Sequence, residues 1–115
     1  MAESFYQKAS LKQLRKLKAA GPNAAETVTA MNTFFAKAVA DGVLPAKTKE
    51  LIAIAVAHAT HCPYCIDHHV KAAKKAGATE AEVSEAILVA IALSAGAAFT
   101  HAGMALEAYE EPAAQ

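Results

Sequence analysis

Tryptophan is absent from this 115-residue chain, and Arg15 is its only arginine. A lone arginine leaves no cluster of the kind that clamps a substrate carrying several carboxylates. Neither charge sign is in excess: 11 Lys and Arg face 11 Asp and Glu, for a formal net charge of +0 with histidine neutral. With no excess of positive charge, nothing argues for a nucleic-acid or anionic-membrane partner. No Pro- or Gly-rich linker, low-complexity block or internal repeat interrupts the chain, so residues 1–115 read as a single domain. The start, Met1-Ala2-Glu3-Ser4-Phe5-Tyr6-Gln7-Lys8, lacks the basic and then apolar pattern of a secretory leader. The apolar run Leu51–Ala57 is too short to span a bilayer. These absences lead us to expect a cytoplasmic protein without membrane or nucleic-acid partners.

The chain is rich in alanine, and 55% of it is hydrophobic. Alanine has the best helix propensity and adds little side-chain volume, so helices made of it pack closely and leave apolar faces over. An all-α bundle of five to six helices follows, assembled as a homo-oligomer. A first helix over about Glu3–Ala19 stops at Gly21-Pro22. Its Lys8, Lys12, Arg15 and Lys16 have the ordinary role of a solvated face. A second follows Pro22, with Phe34, Phe35, Ala38 and Val39 toward the core, and ends at Asp41-Gly42, where glycine suits a left-handed cap. A third, opened by Pro45, covers about Ala46–Thr60; its stretch Leu51–Ala57 is apolar all round, the mark of a fully buried helix. A fourth begins at Cys62 with Pro63 at its first position and is closed by Gly77. Thr79 and Glu82 form a capping box for the next helix, and Ser94-Ala95-Gly96 predicts a break before a last one.

The two cysteines, Cys62 and Cys65, stand as C-x-x-C, with His69 four residues after the second. Residues four apart share a helix face, so Cys65 and His69 can meet. Cys62 at the helix start would feel the unpaired N–H groups and the positive dipole end, which favour a thiolate. Cys65, one turn in, would draw on His69 as a base. Such a dithiol closes to a disulfide and reopens by exchange with little backbone movement. In a reducing compartment the pair points to redox catalysis or metal binding. Glu50, in the first turn of the third helix, either complements the helix dipole or reaches His69 from a neighbouring helix and orients it. His61 and His68 flank the motif. His58 reads as a core histidine or a relay near Glu50, and His101, among small neighbours, has room to point into a site.

Glu50, eleven residues, Cys62-Pro63-Tyr64-Cys65, three residues and His69 together resemble the signature of the alkylhydroperoxidase D (AhpD-like) proteins of the carboxymuconolactone decarboxylase superfamily. The flanks Leu44–Leu51 and Ala72–Thr79 are similar to its single-domain members, and the likeness covers about Leu44 to His101. The resemblance implies an AhpD-like helical bundle assembled into trimers or hexamers, with thiol peroxidase activity. It implies Cys65 as the thiol that attacks a hydroperoxide and Cys62 as the thiol that resolves the sulfenic acid. His69 and Glu50 would form the proton relay that deprotonates the attacking thiol and supplies a proton to the leaving alcohol. An external dithiol, thioredoxin-like or lipoyl-bearing, would restore the pair, with no metal and no other cofactor. This chain carries Tyr64 where the family's founding peroxidases have a histidine. Local physics, unlike the resemblance, favours Cys62 as the accessible low-pKa thiol.

Two other functions use the same residues differently. A lactone decarboxylase of the same superfamily needs acid–base groups rather than a dithiol. A zinc-binding module would use Cys62, Cys65 and His69 with His58, His61 or His101 as fourth ligand.

Overall fold

The four prolines and Gly21, Gly42 and Gly77 fall at helix ends or between helices, while Gly96 and Gly103 lie inside the last helix. The computed structural model describes residues 8–113. Among these the order is a 3₁₀ segment (Lys8–Leu14), α1 (Arg15–Lys18), α2 (Pro22–Val39), α3 (Ala46–Ala59), α4 (Pro63–Lys75) and α5 (Glu80–Glu110), with no strand. The expected all-α bundle is therefore the fold that forms.

Its N-terminal part differs from the single helix expected over Glu3–Ala19. The portion before Lys8 lies outside the described residues. From Lys8 onward the chain is a 3₁₀ segment that runs into one α-helical turn. Leu11, Leu14 and Leu17 recur every third residue, which aligns Leu11 and Leu14 on one edge of a three-per-turn helix. The end of α2 also differs. Gly42 is not a left-handed cap, because positive φ among the described residues occurs only at Gly21, His61 and Gly77. Ala40 is extended instead, and the Asp41 carboxylate accepts the Ala46 N–H at 2.7 Å, capping α3 from the loop.

The corner between α3 and α4 sets the site. The Cys62 N–H donates to the Ala57 carbonyl at 3.0 Å and the His61 N–H to the His58 carbonyl at 3.3 Å. This is the bond pair of a Schellman motif, which needs a left-handed residue just past the helix. The same pair closes α4, from Ala78 to Ala73 and from Gly77 to Lys74, with Gly77 at φ 97°. In the α3 corner that position is His61, at φ 57°, where a Cβ costs about 1–2 kcal/mol. Cys62 then begins α4 at once: its sulfur accepts the Cys65 N–H at 3.2 Å, with Pro63 at the first helical position.

The expected capping box opens α5. Thr79 Oγ1 accepts the Glu82 N–H at 3.1 Å, and Glu82 Oε1 accepts the Thr79 N–H at 2.9 Å. Lys47 Nζ lies 2.9 Å from the other Glu82 oxygen and ties the start of α3 to that of α5. The Thr79 N–H and then Lys47 hold the Glu82 carboxyl below its ordinary pKa. No break occurs at Ser94-Ala95-Gly96; α5 is continuous over 31 residues, about 46 Å at 1.5 Å per residue. One glycine in a run of good helix formers costs about 1 kcal/mol, less than interrupting the ladder.

α3 lies between α4 and α5. The core among the described residues is small: Ile54, Ala57, Ala73 and Ala90, with the Glu50 side chain buried among them. Much of the expected core is open in the single chain. α3 is not buried all round, since Ile52 and Val56 are about half exposed, and so are Phe34 and Phe35 on α2. Every described residue from Ile91 onward is exposed. The dominant apolar stretch is not Leu51–Ala57 but Ala86–Leu106, which holds no Asp, Glu, Lys or Arg. Its helix, Glu80–Glu110, is long and apolar enough by length and composition to cross a membrane, with a mean hydropathy of 1.8 over its most apolar window. The radius of gyration is 19.4 Å, against about 13 Å for a compact domain of this size. Helices α2 and α5 thus extend beyond the α3–α4 centre.

Relief of the His61 strain gives a direct check on the corner. His61→Gly is expected to stabilise the disulfide-intact protein by about 0.5–1 kcal/mol, the left-handed cost less the extra entropy of glycine. A urea midpoint that fails to rise would show that the left-handed turn is not strained.

Candidate active site

Glu50 sits in the second turn of α3, on the side facing α4, and is 7% exposed. A buried carboxylate needs a partner, and α4 supplies one: His69 Nδ1 lies 2.6 Å from Glu50 Oε2. With the Nδ1–H donating to the carboxylate, Nε2 is the ring atom left for chemistry. No buried side-chain N or O among the described residues lacks a partner. The sharper of the two sequence readings of Glu50 is therefore the one the geometry fits: it reaches His69 from the neighbouring helix.

Cys62 and Cys65 are joined as a disulfide, with Cα atoms 5.3 Å apart. The helix start makes this closure easy, because Cys62 as N-cap and Cys65 as third helical residue already face one another. A cleft of about 540 Å³ runs along α4. Its walls are Leu11 of the 3₁₀ segment, Phe35, Ala36, Ala38 and Val39 of α2, and Tyr64, Cys65, His68 and His69 of α4. Cys65 and His69 thus share one cavity wall, as their spacing predicts, while Cys62 is not part of that wall. The cleft is apolar except for the α4 side chains. Tyr64 Oη lies 3.0 Å from Ser10 Oγ, which fastens the 3₁₀ segment to the middle of the C-x-x-C motif.

The remaining histidines separate clearly. His58 Nδ1 bonds the Ile54 carbonyl at 2.8 Å along its own helix, the satisfied core role, and does not line the cleft. His101 Nδ1 bonds the Ala97 carbonyl at 2.6 Å on the exposed half of α5, away from the cleft. His61 is exposed at the strained corner. His68, which the sequence placed only as a flank, lies on the cleft wall and packs edge-on against His69, with centroids 4.8 Å apart. Its signal was present in the spacing: Tyr64 and His68 are four apart and share a helix face. Among the described residues no group of three or more His, Cys, Asp and Glu could hold a metal ion.

These residues lie on helices that known proteins share. The family model described as "Carboxymuconolactone decarboxylase family" matches residues 25–108, from α2 through nearly all of α5. The chain belongs to the carboxymuconolactone decarboxylase family. The crystal structure of a carboxymuconolactone decarboxylase family protein from Legionella pneumophila superposes with a TM-score of 0.68 at 37% identity, covering 90% of this chain and 89% of that one. The "Uncharacterized protein 4 in cox locus" of Paracoccus denitrificans is 54% identical over 72 residues, 63% of this chain. An uncharacterized protein of Haemophilus influenzae is 51% identical over 73 residues. The matched region spans 65% of the length of each of these two relatives. A third, from Cupriavidus necator, is 30% identical over 96 residues, 84% of this chain and 85% of its own. Within the family fold, α3 and α4 bring the carboxylate, the imidazole and the dithiol of this member together.

The Glu50–His69 pair predicts a coupling measurable in stability. His69→Ala leaves the carboxylate buried without its donor, at a cost of about 2–3 kcal/mol. Adding Glu50→Gln recovers part of that loss, so the double-mutant cycle in urea should give a coupling of about 1 kcal/mol or more. Additive effects of the two substitutions would refute the buried pair.

Proposed function

We propose that this protein is a thiol-dependent peroxidase and disulfide oxidoreductase, with Cys65, Cys62, His69 and Glu50 as its catalytic set. The observation that carries the reading is the convergence on one apolar cleft of Cys65, one half of a C-x-x-C disulfide, and a histidine oriented by a buried carboxylate. In the reduced protein His69 Nε2 takes the Cys65 proton, while Glu50 holds the ring and supports the charge it gains. The Cys65 thiolate attacks the distal oxygen of a hydroperoxide. An S–O bond forms, the O–O bond breaks, and an alcohol leaves once its oxygen receives a proton. The Cys62 thiol then displaces hydroxide from the sulfenic acid; water leaves, and the disulfide seen here is the product. An external dithiol, thioredoxin-like or lipoyl-bearing, reduces that disulfide and is itself oxidised.

What supports Cys65 as the attacking thiol is its place on the cleft wall. Cys62, beside the exposed corner, suits exchange with a second protein. The apolar wall of Leu11, Phe35 and Val39 favours an organic hydroperoxide over hydrogen peroxide. A lactone decarboxylase would need a cation for its substrate's carboxylates; among the described residues no Lys or Arg lines the cleft, and the Arg15 guanidinium donates to the Lys12 carbonyl. No metal or other cofactor enters the proposed cycle. Because the disulfide must be reduced again in each turnover, a reducing compartment, the cytoplasm, fits it.

The reading includes a homo-oligomer, a trimer or hexamer. An exposed apolar area as large as that on α2 and α5 is not stable on a soluble single chain, and α5 has no charge to interrupt it from Ala86 to Leu106.

Titration of the reduced protein with cumene hydroperoxide should consume both thiols of each chain. Cys62→Ser should leave a sulfenic acid trapped on Cys65, whereas Cys65→Ser should yield none. Thiols that survive the peroxide would refute the peroxidase reading, and the reverse trapping pattern would give the attack to Cys62. Light scattering should give a mass three or six times the 11.9 kDa chain, and the paired change Leu93→Asp with Leu106→Asp should lower it. A wild-type monomer at micromolar concentration would refute the assembly.

A further inference from the structure

His68 has no part in the Glu50–His69 proton relay, yet it stands beside it on the cleft wall. Its ring is exposed and packs edge-on against His69. Among the described residues it makes no hydrogen bond and no ion pair. We infer that His68 is a second catalytic residue, the acid that protonates the departing alkoxide. The inference rests on the peroxidase reading.

The chemistry calls for two separate proton positions. Sulfur attacks the distal oxygen along the O–O axis, so the leaving oxygen departs on the side away from sulfur. A base placed to take the thiol proton is at the sulfur, and Glu50 holds His69 in that post through Nδ1 at 2.6 Å. The leaving oxygen must find its proton elsewhere on the wall. Among the described residues, apart from Cys65 and His69, only Tyr64 and His68 line the cleft with polar side chains. An imidazolium is by its chemistry a far stronger acid than a phenol, and the Tyr64 hydroxyl is already tied to Ser10 at 3.0 Å. The imidazole is the competent donor.

Atoms and electrons balance in this step. The Cys65 thiolate, the hydroperoxide and the His68 imidazolium give the Cys65 sulfenic acid, the alcohol and neutral His68. Sulfur loses two electrons, the O–O bond gains them, and the distal oxygen keeps its own hydrogen as the sulfenic O–H. His68 recovers its proton from solvent, to which it is open.

The test uses oxidants whose leaving groups differ in basicity. tert-Butyl hydroperoxide expels a strongly basic alkoxide that needs an acid; peracetic acid expels acetate, which does not. Thiol loss is followed in the reduced full chain, comparing wild type with His68→Phe, which keeps an aromatic ring, and His68→Gln, which hydrogen-bonds without titrating. Both variants should react about 100-fold more slowly with tert-butyl hydroperoxide, the lower end of general-acid contributions, and at the wild-type rate with peracetic acid. A wild-type rate with tert-butyl hydroperoxide in either variant overturns the inference, and so does an equal loss with both oxidants, which marks a structural role. In each case the peroxidase reading stands. If wild-type thiols resist both oxidants, that reading fails first and takes this one with it.

Discussion

The site depends on one backbone event, the two-bond closure after α3 that turns the chain at His61 and lets α4 follow at once with Cys62 as its N-cap. A longer connection would leave the angle and register of the two helices loose. Here the Cys62 N–H still belongs to the α3 cap, while its sulfur already caps α4. With that register fixed, two turns of α4 carry His69 to the level of Glu50, and the first turn brings Cys65 against Cys62. The buried carboxylate makes the register matter energetically. A half-turn slip would strand Glu50 in the core without a donor, which a core built from Ile54 and a few alanines could not offset. His61 fits this view: a residue with a Cβ at a left-handed position is held there by the bonds on both sides of it.

Alanine has two consequences in this fold. At the α3–α4 and α3–α5 crossings, Ala57, Ala73 and Ala90 let the axes approach closely, so that a glutamate and a histidine on facing helices come within hydrogen-bond reach. The same small side chains bury little area, so the single chain gains little from its own packing. The molecule concentrates its packing around the dithiol and leaves α2 and the far half of α5 exposed in the single chain. The cleft inherits both features. One wall is α4, anchored in the packed centre; the other is the end of α2 with Leu11, which are largely exposed. Polar, reactive side chains on one wall thus face apolar ones on the other.

Much of this was legible in the residues. The helices around the site arise from local signals that act at short range: Pro63 at a first helical position, Thr79 and Glu82 as a capping box, Gly77 after α4. The spacing of Cys65 and His69 placed them on one face because a helix fixes that geometry, and the family likeness at Glu50 anticipated the pair with His69. The features that were not legible depended on tertiary context. Apolarity all round α3 and the phenylalanines of α2 state that these surfaces must be covered, but not by which chain. Ser94-Ala95-Gly96 reads as a break only if its small local penalty is weighed without the 31-residue helix around it. Gly42 suggested a left-handed cap, yet α2 ends on an extended Ala40 and the loop is shaped by Asp41 capping the start of α3.

His68 shows a limit of a different kind. In the sequence it is one of two adjacent histidines, and the second had a stated partner four residues back, so the first looked redundant. A helix turns about 100° per residue, and two neighbours usually face different surroundings. They face the same cavity here because the cleft is broad enough to follow α4 round from Tyr64 to His69. Adjacent imidazoles then differ in environment rather than in kind: one is pinned by a buried carboxylate, the other is open to solvent. In the proposed cycle the fixed imidazole would serve the sulfur and the open one the leaving oxygen, a division of labour that a single ring pinned at Nδ1 would have to perform by turns.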